Sequence, residues 1–181
     1  ATLLQGHDAQ NKPGYVREFL SVDDPDDFTI VFREFCARTY RDSCYEFDKR
    51  EIHNYYLLLN SAKKIKESQA LSTIQSAKMS FSNFLSDADK NTSLLFEEGG
   101  TYLFRHRSFQ EYFFADYYAQ ADDASLIRLG NFLDDPFTQY RYPQYHYMFD
   151  EGEAFDMLFD MRPDKVERFI FWRFLEAVYG R

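Results

Sequence analysis

Residues 102–119 read Tyr-Leu-Phe-Arg-His-Arg-Ser-Phe-Gln-Glu-Tyr-Phe-Phe-Ala-Asp-Tyr-Tyr-Ala, and they constrain the fold more than any other stretch. The pattern is a short β-strand running directly into a helix. Ser108 is placed to cap that helix, and Glu111, at its third position, completes a capping box in which side chains satisfy free N–H groups of the first turn. Phe109, Tyr112, Phe113 and Tyr117 then supply an aromatic packing face. Just before it, Leu94-Leu-Phe-Glu-Glu98, Gly99-Gly100 and Thr101-Tyr-Leu-Phe-Arg105 spell a β-hairpin, because paired glycines adopt the positive φ that tight hairpin turns need.

The upstream part supplies helices. Asp23-Asp-Pro-Asp-Asp27 suits a helix start, with carboxylates near the positive end of the dipole and proline in the first turn. Val31, Phe32, Phe35, Cys36 and Tyr40 then recur at three- and four-residue steps, predicting one amphipathic helix. A short extended piece over 44–47 follows. Asp48 and Glu51 make a second capping box, opening a helix with Ile52, Tyr55, Tyr56 and Leu59 inward. The polar stretch 61–76 reads as a frayed helix end plus a loop. A third helix is expected over 78–90, with Met79, Phe81, Phe84 and Leu85 inward.

Helix, short strand, helix, helix, strand, turn, strand is the order of a winged helix-turn-helix. Residues 1–23 read as the end of a preceding helical region, broken at 11–14, and a linker; 24–106 as the winged-helix domain; 107–181 as a helical domain. Within that last part, helices are expected over 108–120, 123–133, 144–161 and 163–179, with a turn-rich connector over 134–143. The fold class is mainly α with a small β-hairpin. Twenty Phe and fourteen Tyr against seven Gly and five Pro support helices packed through flat rings rather than a sandwich or barrel.

A formal net charge of −9 sets the chain against phosphate backbones and anionic membranes. No apolar run approaches the roughly 20 residues that span a bilayer, and no signal segment opens the chain. It begins at Ala1 rather than at an initiator methionine, as a cut fragment would. Cys36 and Cys44 read as a reduced pair in a cytoplasmic protein, with no ligand spacing for zinc. No glycine-rich phosphate loop, nucleophile elbow, metalloprotease or kinase signature occurs, and His7, His53 and His146 lack partners at diagnostic spacing. Autonomous catalysis is not expected, and the acidic cluster at 23–27 reads as a solvated helix cap rather than a cation site.

The motif aromatic-x-His106-x-Ser108-Phe-Gln-Glu-Tyr-Phe-x-Ala115 resembles the segment that ends the winged helix of bacterial NACHT-type signal-transduction NTPases. Leu3-x-x-x-x-His7-Asp-Ala9, Gly14-Tyr-Val-Arg-Glu18, Phe32-x-x-Phe-Cys-Ala-x-Thr-Tyr40 and Tyr45-x-Phe47 are similar to the linker, first helix and short strand of that region. The resemblance covers nearly the whole chain to about residue 119, and more loosely residues 155–161 and the final helix. It implies that His106 contacts the diphosphate of ADP in the resting state, an imidazole N–H donating to a phosphate oxygen. Ser108, Phe109, Glu111 and Tyr112 would belong to a capped hinge helix that rotates on nucleotide exchange.

The same resemblance implies a regulatory fragment with no cofactor of its own. The parent protein would bind ATP or ADP with Mg through an upstream nucleotide-binding domain of the same chain. It would assemble as a homo-oligomer on activation, in cytoplasmic defence signalling. Other readings stand beside this one. His106 could instead hydrogen-bond the neighbouring helix, with Arg105 and Arg107 as solvated charges. The chain could be a stand-alone protein-interaction winged helix, using the aromatic run 140–147. It could bind DNA, although Asp87 and Asp89 on the third helix and Glu97 and Glu98 at the hairpin tip oppose that.

Overall fold

The computed structural model describes residues 18–61, 69–134, 152–172 and 175. The expected helix tail and break over 1–14, the connector and the aromatic run 140–147 lie outside them. The chain is mainly helical with one small antiparallel sheet, and it divides into two units. The first takes residues 1–35 and 45–107, the second 36–44 and 108–181.

Helix α1 (Pro25–Arg41) opens at the expected proline with Asp26 and Asp27 in its first turn. It departs from a one-sided helix: every residue from Val31 to Ala37 is buried, Arg33 and Glu34 included. Its residues to Phe35 belong to the first unit and Cys36 to Arg41 to the second. In the first unit the Arg33 guanidinium donates to Gln69 Oε1 at 3.2 Å.

Strand β1 (Glu46–Asp48) leads into α2 (Lys49–Asn60). The capping box is formed: Asp48 Oδ1 accepts from Glu51 N at 2.8 Å, and Asp48 N donates to Glu51 Oε2 at 2.8 Å. The polar stretch expected to be loop instead contains a helix, α3 (Gln69–Ser76), because Ala70, Thr73 and Ile74 recur at helical spacing and are buried. The third helix expected over 78–90 is shorter. Lys78 has φ 51°, a left-handed conformation no helix accepts, so α4 runs Phe81–Ser86 with Ser80 as its cap. It widens into a π-helical turn, Asp87–Asn91, closed by Thr92 N donating to Asp87 O.

Strands β2 (Leu95–Glu98) and β3 (Thr101–Phe104) form the hairpin, with Gly99 and Gly100 at φ 61° and 87°. The sheet order is β1-β3-β2, both pairs antiparallel. Its inner face carries Phe47, Leu95, Tyr102 and Phe104, all buried. Of these, Phe47 and Phe104 join Phe28, Phe32 and Phe35 of α1 and Phe84 of α4 in a ring cluster; Phe35–Phe84 centroids are 5.7 Å apart and Phe47–Phe104 5.9 Å. Tilted and edge-on pairs dominate, as ring quadrupoles favour.

The second unit is built on α5 (Arg107–Gln120), α6 (Asp123–Asp134), α7 (Ala154–Met161) and α8 (Pro163–Val166), the last running into a π-helical turn Glu167–Phe171. Phe114 is its aromatic centre, 4.6 Å from the Tyr40 ring, 4.9 Å from Tyr118 and 5.8 Å from Phe155. Arg162 and Lys165 donate to the carbonyls of Ala119 and Ala121, the C-terminal end of α5, where cations are favoured. At Gly130 the backbone of α6 comes so close to Phe169 that a Cβ would sit 2.6 Å from its carbonyl oxygen.

Candidate functional site

The sheet delivers the candidate site at the end of its central strand. β3 closes at Phe104, and Arg105 N is held by a 3.0 Å hydrogen bond to Leu94 O. His106 follows in a bend and is exposed, as are Arg105 and Arg107 beside it. The two arginines are not free solvated chains. The Arg105 guanidinium lies 5.2 Å over the Phe96 ring on β2, and that of Arg107 lies 4.6 Å over Tyr45 while Nη2 reaches the tyrosine hydroxyl at 3.4 Å. Each such contact contributes about 0.5–1 kcal/mol at an exposed position, enough to bias where a long side chain rests. The result is three consecutive cationic or proton-donating side chains at one turn of a chain whose net charge is −9. Chemically, this turn suits an anion with several oxygens.

The segment after His106 differs in detail from its expected form. Helix α5 starts at Arg107, so Ser108 lies inside the first turn rather than at the cap, and it is exposed. The buried face is also rotated. Gln110, Glu111, Phe113, Phe114, Ala115, Tyr118 and Ala119 are inward, whereas Phe109, Tyr112 and Tyr117 are half-buried. The physical cause is a polar anchor from outside the helix. Gln110, with no exposure, donates through Nε2 to Thr39 Oγ1 and to Cys44 O, both at 2.9 Å. That fixes the first turn without help from a serine cap. Burial and the Asp116 carboxylate hold the Tyr112 phenol above its ordinary pKa.

Asp87, read as a charge on the third helix that opposes DNA, has no exposure at all. Glu97 and Glu98 do sit at the open hairpin tip, Glu97 accepting from Tyr102 Oη at 3.0 Å. Cys36 and Cys44 are not in a disulfide, and burial pushes Cys36 well above the usual thiol range. Among the described residues no three or more His, Cys, Asp or Glu side chains are placed to hold a metal ion, and no helix is long and apolar enough to cross a membrane.

The chain matches no protein-family model, no curated protein and no solved structure. The site therefore rests on its own residues.

Proposed function

We propose that this chain is the regulatory, nucleotide-state-sensing portion of a NACHT-type signal-transduction NTPase, with a winged helix in its first unit. The observation that carries the reading is His106, exposed at the end of β3 between two arginines held on aromatic rings. The element order and the β1-β3-β2 sheet support the winged-helix part. In this reading His106 donates to the diphosphate of ADP held by an upstream nucleotide-binding domain. The helix carrying Ser108, Phe109, Glu111 and Tyr112 is the hinge. The nucleotide and its Mg belong to the parent protein, the fragment performs no catalysis, and activation leads to a homo-oligomer in the cytoplasm.

DNA binding is disfavoured because the hairpin tip that would track phosphates presents Glu97 and Glu98. The test is His106→Ala in the full-length parent. ADP retention, followed by release of a fluorescent analogue, is expected to fall about ten- to a hundredfold, the loss of one charge-assisted hydrogen bond of about 1.5–3 kcal/mol. Unchanged retention would remove the latch from the reading.

A further inference from the structure

Asn83, Asp87 and Asn91 stand at four-residue steps along α4 and its π-helical turn, where side chains line up on one side. All three bind main chain of residues 18–21, more than sixty positions upstream. Asp87 accepts from Leu20 N at 2.9 and 3.1 Å and from Ser21 N at 2.8 Å. Asn83 Nδ2 donates to Leu20 O at 2.8 Å, and Asn91 Nδ2 donates to Glu18 O at 3.1 Å. Asn91 also donates to Asp87 Oδ1 at 2.5 Å, orienting the carboxylate.

Two features separate this from ordinary packing. The ladder reads backbone only: Leu20 is 59% exposed and Glu18 is exposed too. And its centre is a fully buried carboxylate, which is tolerable only while donors surround it. Residues 18–21 belong to no helix or strand; their apolar hold is the Phe19 ring, 5.1 Å from Phe28.

We infer that Asn83, Asp87 and Asn91 form a docking site for main chain outside helix and sheet, occupied by the chain's own residues 18–21 as a releasable strap. The strap fixes where the chain arriving from residues 1–17 joins the first unit. Because the ladder contacts main chain, the exposed side chains at Glu18 and Leu20 can vary while the docking persists. This holds whether or not His106 meets a phosphate.

Hydrogen exchange of the 181-residue chain tests it. In Asp87→Ala the amides of Leu20 and Ser21 are expected to exchange at least about tenfold faster, equivalent to about 1.4 kcal/mol, while β2 and β3 keep their protection. Leu20→Ala should change nothing, and Leu20→Pro, which deletes a donor, should speed exchange of the remaining Ser21 amide as Asp87→Ala does. If Asp87→Ala does not fold, the Asn83→Ala/Asn91→Ala double variant gives the same reading. Unchanged exchange at 18–22 overturns the docking site. Protection lost from β2 and β3 together with 18–22 overturns the releasable strap.

Discussion

Gln110 brings an amide into a site without solvent, and the second unit depends on how that amide is spent. Its two donated bonds serve Thr39 and Cys44, while its own Oε1 has no hydrogen-bond partner among the described residues. The donors therefore account for its value. Gln110→Ala is expected to destabilise the chain by about 1–3 kcal/mol, since it removes both hydrogen bonds, one of them buried. Urea unfolding measures this, and a midpoint equal to that of the parent would show the amide to be dispensable. Nothing local announces the interaction, because the partners lie 71 and 66 residues away. Read from sequence, Gln110 is one letter of a helix motif, and Asp87 is one acid among many. Long-range polar pairing is what patterns of three and four residues leave invisible.

Elements whose signals are local were legible. The Asp48–Glu51 box formed because both partners sit within one turn, and the Gly99-Gly100 turn because only positive φ closes so short a hairpin. Elements set by tertiary contact were not. Helix α3 appears where polar letters suggested a loop, since three buried positions suffice to hold it. Helix α5 turned its face toward Gln110 and Glu111, against the aromatic pattern that pointed to Phe109 and Tyr112. The cap is the part of α2 most open to test. Twelve residues make a marginal helix in water, so Asp48→Ala should cost about 0.5–2 kcal/mol. At about 2–4 °C per kcal/mol for a chain of this size, calorimetry would resolve it. A melting temperature that does not move would mean that tertiary packing alone starts the helix.

Among the described residues four tyrosines respond to pH in one direction. Burial raises the phenol pKa of Tyr56, Tyr102, Tyr112 and Tyr118, and for Tyr118 it outweighs the opposing charges of Arg41, Arg38 and Arg128. Tyr56 also donates to Met79 O at 2.6 Å, a bond its anion cannot make. The folded pKa values lie above the unfolded value of about 10, so this stability is complete below that value. It drains away as pH rises through the raised folded values. An alkaline titration should show part of the tyrosinate absorbance arriving late and together with loss of helical circular dichroism. Full ionisation near pH ~10 with helix content intact would contradict the burial of these rings. The sequence offers a linear boundary, whereas residues 36–44 group with the second unit from the middle of the first.

Gly130 has a genetic consequence. Every amino-acid replacement reachable from a glycine codon by one base change adds a side chain, and here the first carbon of any side chain would meet the Phe169 carbonyl. A carbonyl on a helical turn cannot swing aside as a lysine tip can. Exposed codons of α6 are free to drift, but codon 130 can change only if the turn that carries Phe169 moves with it.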